Sequence, residues 1–460
     1  MSKKSKLIPA IFGIVMTASV VFAADFTANT AKIIALFTGS TIGAFLLYAA
    51  AATQIHSYLR GRKNPENPTP GRDQYLGDVT IYNANQPILI HPDEPSHEYQ
   101  TGLWFLEQLD YQKALDFFNT ALDKQKKLHG PKHEDTAKIY NSIASVYYDM
   151  AKYDDAIDNY TFAIAAHDSN ANDSQEILGA FYNNMAALYK EQGYYNKALE
   201  WYQKTLAICE KVLGKEHPST ATTYNNIAVV YNSQGDYPEA LEWYQKALAI
   251  KEKVLGKEHP STAATYNNIA AVYNSQGDYR GALEWYHKAL AICEKVHGKE
   301  HPYTATTYNN IGEVYRNQGN YPEALEWLQK ALAICEKVLG KEHPSTADTY
   351  NNIGEVYRNQ GDYPEALEWY YKDLAIREKV LGKEHPSTAT TYNNIAAVYH
   401  SQGDYRGALE WCIKSYRIAL RSLGEAHPDT NTYRTNMEIA YKKSGLSEPF
   451  EQWLQKNLGS

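Results

Sequence analysis

The chain has 460 residues and a net charge of −8, with acidic and basic side chains interspersed along its length. This pattern excludes the clustered basic face that nucleic-acid binding requires. Length alone suggests about three globular domains, but an internal repeat replaces that estimate, because a solenoid is one elongated unit.

Two apolar runs precede the repeat. The first, from Leu7 to Ala24, follows a short lysine-rich head and ends in small residues. This pattern is typical of a secretory signal peptide, although the run also approaches the minimum length of a membrane span. We therefore predict that residues 1–24 are a signal peptide or a first transmembrane segment.

The second run, Ile33 to Ala52, carries no charge. As a helix it spans about 30 Å, the thickness of the bilayer core, which predicts a transmembrane helix at 33–52. Arg60, Arg62 and Lys63 follow it, and the positive-inside rule then places the rest of the chain in the cytoplasm. The alternative is that this run is not a stop-transfer segment, in which case the array is exported to the periplasm.

Gly39 and Gly43 form a GxxxG pattern within this second run. Small residues on one face let membrane helices approach closely, so the pattern indicates self-association. Packing against the first apolar run explains it equally well. Residues 61–90 are rich in proline and glycine without a helical period, which predicts a flexible linker.

The remainder, residues 91–460, is a tandem array. A His-Pro pair returns every 42 residues, and a fixed period in this range is the signature of a solenoid. Tyrosine and tryptophan positions extend the same phase towards both ends and define nine units. These start near residues 91, 133, 175, 217, 259, 301, 343, 385 and 427.

Each unit contains two helical patterns. In unit 4, Tyr224, Ile227, Ala228 and Tyr231 lie on one helix face, and Gly235 is placed to end that helix. A second apolar pattern runs to a stop at the next glycine. Its start, Asp-Tyr-Pro-Glu from residue 236, resembles a capping box. The unit is therefore predicted to be a helix hairpin whose apolar faces need neighbours on both sides.

The terminal units depart from this pattern. Leu109 and Ala151 replace the helix-ending glycine in units 1 and 2, and Phe117 and Asn159 replace the tryptophan. Unit 9 is shorter and more polar. Atypical end units are what a solenoid requires, because each end must face water.

This pattern resembles the tetratricopeptide repeat, and its 42-residue form with "EKVLGKEHP" and "NN" motifs resembles the repeats of kinesin light chains. The matching residues are Tyr224, Ile227, Ala228, Tyr231, Gly235, Tyr237, Ala240, Tyr244 and Ala247. The resemblance implies an all-α, right-handed superhelical solenoid of helix hairpins that binds proteins. The apolar N-terminal segments, and the lack of a preceding heptad pattern, depart from kinesin light chains and argue against a motor-subunit role.

The resemblance also implies that the first helix of each unit lines a concave groove, where an asparagine holds a ligand backbone. An amide offers both a donor and an acceptor, so it pairs with any peptide unit. The alternative is that these amides bond neighbouring helices and keep the superhelix in register. The candidates are Asn184, Asn226, Asn268, Asn310, Asn352, Asn394 and Asn436.

Specificity must come from positions at which the copies differ. Units 6 and 7 present Glu313 with Arg316 and Glu355 with Arg358 one turn beyond the asparagine. These pairs are either salt bridges within one helix, each worth a few tenths of a kcal/mol, or a charged subsite for an acidic partner.

No catalytic motif, cofactor site or metal site is predicted. The repeated histidines are spread along one edge and do not converge on a point, as metal ligation requires. Cys209, Cys293 and Cys335 share one repeat position, and the fourth cysteine is Cys412. Equivalent positions lie about 10 Å apart, too far for a disulfide.

The sequence thus favours a non-enzymatic, membrane-tethered scaffold that captures an extended protein or peptide segment in its groove. One alternative is a structural component of an envelope or secretion complex, assembled through the membrane segment. Another is an exported effector.

Overall fold

A computed structural model describes residues 96–167 and 174–458, together with the isolated positions 89 and 92. The chain divides into two units, residues 1–71 and 72–460, and the described residues all lie in the second. The predicted segments 1–24 and 33–52, with Gly39 and Gly43, lie outside the described residues, and so does the predicted linker 61–90 apart from position 89. Among the helices described, none is long and apolar enough to span a bilayer.

The described part of the chain is all-α and contains no strand. Its helices form nine consecutive pairs, and we call the first helix of each pair the A helix and the second the B helix. They are α1 His97–Glu107, α2 Tyr111–His129, α3 Glu134–Asp149, α4 Tyr153–Ala166, α5 Ser174–Glu191, α6 Tyr195–Val212, α7 Pro218–Gln234, α8 Tyr237–Val254, α9 Pro260–Ser275, α10 Tyr279–Val296, α11 Pro302–Asn317, α12 Tyr321–Ile334, α13 Pro344–Gln360, α14 Tyr363–Val380, α15 Pro386–Gln402, α16 Tyr405–Ser422, α17 Pro428–Lys443 and α18 Phe450–Leu458. A short π-helical turn, Cys335–Leu339, extends α12.

The repeated His-Pro motif starts each A helix from unit 4 onwards. In α7, the His217 ring accepts a hydrogen bond at Nδ1 from the Ser219 amide at 3.1 Å, and Pro218 fills the first helical position. The hydroxyl of Thr220 donates to the Gly214 carbonyl at 2.7 Å and ties the turn to the new helix. The motif therefore satisfies a backbone N–H group at the start of the A helix and a backbone carbonyl in the turn that follows the preceding B helix.

The helix-ending glycine behaves as predicted. Gly235 adopts the left-handed conformation, with φ 79°. In units 1 and 2 the chain takes the same conformation without glycine, since Leu109 and Ala151 have φ 60° and 55°. The capping box predicted at Asp236 is wrong, because that side chain accepts no cap hydrogen bond. Where glycine replaces the glutamate, as at Gly281, the preceding Asp278 does cap its helix at 3.0 Å.

The core is a series of separate clusters, most of which join neighbouring units, and the largest spans units 7 to 9. Between units 4 and 5, Ala228 and Tyr244 pack against Ile269 and Val272, and each is at most 2% exposed. The four cysteines are free and buried. Hairpins therefore stack in chain order and depend on their neighbours, which is the organisation of a solenoid. Its right-handed sense stays a prediction.

Candidate functional site

Side chains of successive A helices meet directly through the repeated asparagines. In unit 3, the Asn184 amide donates to Asn141 of unit 2 at 2.8 Å, and in unit 4, Asn226 donates to Asn183 at 2.8 Å. Both donor residues are buried, at 0% and 2% exposure. These two asparagines therefore join neighbouring A helices directly, which is the contact that the alternative prediction expected.

The same bond recurs near the C-terminal end of the array. Asn394 donates to Asn351 at 2.8 Å, and Asn436 donates to Asn393 at 2.9 Å. Both donors are partly exposed. At each end of the array, the second asparagine of the pair is thus engaged by the preceding unit.

The three central units differ. Asn268, Asn310 and Asn352 are partly exposed, and their side-chain amides have no hydrogen-bond partner among the described residues. The first residue of each Asn-Asn pair in the preceding unit instead donates a hydrogen bond to a threonine hydroxyl forty residues later in the chain. Asn225 donates to Thr265 at 3.0 Å, and Asn309 donates to Thr349 at 3.0 Å.

The availability of that threonine hydroxyl explains most of this change. Unit 3 has Phe181 and unit 9 has Tyr433 at the threonine position. In unit 8 the hydroxyl of Thr391 already donates to Asp373 at 2.6 Å. The first asparagine of the preceding unit therefore accepts from the second asparagine of unit 3, 8 or 9 instead. Unit 4 retains Thr223 and still uses the asparagine–asparagine bond, for which the structure offers no physical account.

A cleft of about 190 Å³ lies beside the first two free amides. Asn268 and Asn310 line it together with Glu313, and the buried Tyr286 contributes to its wall. The structure therefore brings two predicted asparagines and one predicted charged residue to the same cleft between units 5 and 6.

Three of the four predicted charged residues form a network across units 6 and 7. Arg316 lies 3.7 Å from Glu313 in its own helix, and it also forms an ion pair with Glu355 of the next unit. Glu313 accepts a hydrogen bond from Asn274 of the preceding unit at 3.3 Å. Burial lowers the pKa of Arg316, whereas Glu313 acts to raise it. Glu313 and Glu355 thus share Arg316 across two units, and the expected salt bridge between Glu355 and Arg358 is not among the ion pairs of the described residues.

Arg358 lies on the same side of the array, near Tyr370. Burial raises the pKa of Tyr370 to about 12, while Arg358 and Arg316 act in the opposite direction. The Nε atom of Arg358 is buried and has no hydrogen-bond partner among the described residues. This Nε–H group is therefore unsatisfied and shielded from solvent in the described part of the chain.

The structure describes no cluster of three or more histidine, cysteine, aspartate or glutamate side chains that would hold a metal ion in residues 96–167 and 174–458. His129 and His133 stack at 4.4 Å between ring centres, and His133 caps α3. Sequence reasoning missed this capping role of the repeated histidines. The signal was present as the invariant placement of histidine directly before the helix-starting proline.

These features together define an α-helical repeat protein whose A helices carry a polar, partly unsatisfied surface. The chain belongs to the tetratricopeptide repeat family, whose model matches residues 96–169, 178–253, 220–286, 261–337, 303–372, 345–411 and 387–454. This match confirms the repeat type predicted from the sequence.

Several solved structures are similar to the chain. BtubC (BKLC) from P. vanneervenii is 24% identical with a TM-score of 0.40, covering 51% of this chain and 91% of that protein. A putative kinesin light chain of Podosopora anserina with nearly identical TPR-like repeats is 30% identical with a TM-score of 0.36, covering 45% and 95%. The apo form of RapI is 18% identical with a TM-score of 0.47, covering 62% and 97%. No curated protein matches the chain.

Proposed function

We propose that the protein is a non-enzymatic scaffold that binds an extended peptide or protein segment along its A helices. The observation that supports this proposal most is the row of three free amides in consecutive units, Asn268, Asn310 and Asn352. Unpaired polar groups at a partly exposed site favour a ligand that supplies their hydrogen bonds.

A peptide backbone is a suitable partner for such a row. Each amide offers a donor and an acceptor, and an extended chain presents both groups in every residue. Recognition through the backbone does not depend on ligand sequence. The asparagines would therefore supply affinity, and the neighbouring positions that differ between units would supply specificity.

Charged groups beside the row indicate what the ligand side chains would meet. Glu313 is the more accessible member of its pair, with 41% of its side chain exposed against 13% for Arg316. The partly exposed side chain of Arg358 lies one unit further on. We propose that a ligand with both basic and acidic side chains fits units 6 and 7, with its acidic group towards Arg358.

We further propose that residues 33–52 tether the scaffold to a membrane with the array in the cytoplasm. The support is the uncharged apolar run and the basic residues that follow it. Limited proteolysis of intact and permeabilised cells tests the location. Degradation of the array in cells that have not been permeabilised would contradict it.

Substituting Asn268, Asn310 and Asn352 together by alanine is expected to abolish peptide binding while leaving helix content unchanged. Side chains that make no intramolecular hydrogen bond cost little to remove, whereas each lost ligand bond weakens binding. The probe is a peptide selected from a random library on the full chain, and the measurement is fluorescence anisotropy.

The matched control substitutes Gln203, Gln245 and Gln329 by alanine. These side chains are equally polar, recur at one repeat position and are exposed on B helices. This control should bind normally. Equal binding by the asparagine variant and the wild-type protein would exclude the proposed surface, and circular dichroism verifies that both variants keep their helices.

A further inference from the structure

Two histidines join parts of the array that are distant in sequence. The Nε2 atom of His385 lies 3.2 Å from the carbonyl oxygen of Asp149, and the Nε2 atom of His427 lies 3.0 Å from that of Glu191. Each pair is separated by 236 residues. Unit 8 therefore contacts unit 2, and unit 9 contacts unit 3.

The hydrogen bonds of each histidine ring determine which ring nitrogen carries the proton. Each ring accepts at Nδ1 from the backbone of its own helix, at 3.1 Å from Ser387 and 3.1 Å from Asp429. The proton of the neutral imidazole must then be on Nε2, which donates it to the carbonyl. Asp149 and Glu191 are the last residues of α3 and α5, and such terminal carbonyls have no partner within their own helix.

Packing supports the same contact. A Cβ atom on Gly193 would lie 3.1 Å from the His427 ring and 3.1 Å from Pro428. The equivalent Gly235 and Gly277 have the same backbone conformation, with φ 79° and 78° against 73°, and open space around them among the described residues. Of these three positions, only Gly193 is confined by another turn of the array.

The contact also shields polar groups from water. Burial raises the pKa of Asp149 to about 7 and lowers that of His385 to about 4. Residues of both turns line a cleft of about 420 Å³ between them. Tyr153 of unit 2 packs against the core cluster of the last units. The two turns therefore form an interface of side chains as well as two hydrogen bonds.

We propose that this interface is a clasp that closes units 2 to 8 into a ring and makes the inner groove a closed channel. Asparagine bonds join successive A helices directly, which places these helices on the inner side of the ring. A partner segment flanked by folded domains then enters only when the clasp opens. This last step rests on the proposed function, whereas the clasp itself does not.

The test uses the full-length chain in detergent, with dyes on cysteines introduced at Lys152 and Lys383. Both positions are exposed and adjoin the contact, and the four native cysteines are buried. The wild-type chain should show high energy transfer. Gly193→Asn should lower the transfer efficiency, because asparagine tolerates the left-handed conformation but collides with His427. Gly277→Asn, with the same backbone demand and open space, should leave the efficiency high.

A second pair of variants removes the hydrogen bonds without a collision. His385→Asn with His427→Asn keeps a side-chain helix cap but loses the Nε2 donor, and it should also lower the transfer efficiency. His217→Asn with His343→Asn, which changes caps away from the contact, should not. Low transfer in the wild-type chain, or equal transfer in Gly193→Asn and Gly277→Asn, would overturn the clasp.

Channel gating is measured separately, with the selected peptide placed between two folded domains. Gly193→Asn should raise its association rate several-fold over both the wild-type chain and Gly277→Asn, since the binding-competent open state becomes more populated. Unchanged association would overturn gating. If no peptide binds any variant while the energy-transfer differences persist, the proposed function fails and the clasp stands.

Discussion

Replacing Arg377 by cysteine is expected to lower the free energy of unfolding by about 3–5 kcal/mol, because it leaves a buried carboxylate without a cation. Asp373 is completely buried, and its carboxylate receives the Arg377 Nε at 2.5 Å and the Thr391 hydroxyl at 2.6 Å. Arg377 also donates to Asp348 at 2.7 Å. Without the arginine, only the threonine hydroxyl remains to solvate the Asp373 charge.

The cost should disappear when both partners are replaced. Unit 6 has Ala331 and Cys335 where unit 7 has Asp373 and Arg377, and both of these unit 6 residues are buried. Asp373→Ala with Arg377→Cys therefore restores an interior that the array already uses. Its stability is expected to lie within about 1 kcal/mol of the wild-type chain or above it, as for other buried ion pairs replaced by apolar residues.

Chemical denaturation of the single and double variants measures both effects as a double-mutant cycle. Lys379→Ala, which breaks an exposed pair with Glu342 at 2.6 Å, is the control and should cost less than about 1 kcal/mol. A loss of that small size for Arg377→Cys would contradict the argument.

The loss of unfolding free energy in the Arg377→Cys variant should also depend on pH. Burial raises the pKa of Asp373 even beside Arg377, and removing the arginine raises it further. A raised folded-state pKa disfavours folding above the unfolded pKa of about 3.9, and this penalty shrinks as pH falls through the folded-state value. The stability of Arg377→Cys should therefore approach that of the wild-type chain in mild acid.

Replacing Lys251 by methionine is expected to stabilise the array by on the order of 2 kcal/mol near neutral pH. The lysine is 1% exposed, and its ammonium reaches only the Ser261 carbonyl, at a long 3.4 Å. Units 3, 5 and 6 have Cys209, Cys293 and Cys335 at this position. Methionine keeps the length of the side chain and removes the buried charge.

The pH dependence identifies the cause. Burial lowers the pKa of Lys251 to about 7. Between that value and the unfolded pKa of about 10.4, the unfolded chain binds the proton and the folded chain does not, so wild-type stability rises with pH. The advantage of Lys251→Met should thus be largest below about pH 7 and should decline towards about pH 10.

Denaturation midpoints at several pH values measure this advantage. Lys253→Met is the matched control, because Lys253 lies on the same helix with 64% of its side chain exposed. The control should change stability little at any pH. An advantage of Lys251→Met that does not vary with pH would exclude the titration of Lys251 as its cause.

The periodic sequence predicted much of what the structure contains. Apolar spacing, the helix-ending glycines and the repeated aromatic residues predicted the nine hairpins, because each unit repeats the same local preferences. The period also predicted that Cys209, Cys293 and Cys335 lie too far apart for disulfides. The capping box at Asp236 failed, because a short motif does not determine which local bond forms.

Contacts between units were less predictable. The asparagines share one repeat position, yet their hydrogen bonding differs because each bonding partner lies forty or more residues away. Phe181, Tyr433 and the occupied Thr391 decide which amides are engaged in units 3, 9 and 8. These differences at the threonine position are visible in the sequence, but their consequence is clear only once the structure shows which residues meet.

The sequence by itself determined the repeat, the hairpin and the capping of its helices, since these depend on interactions within about 42 residues. Tertiary structure alone decided which amides stay free, how Arg316 pairs across units, and that units 8 and 9 return to units 2 and 3. The physical reason is that small rotations between neighbouring repeats accumulate along a solenoid. Whether two residues 236 positions apart meet depends on the sum of these rotations, and no single repeat determines that sum.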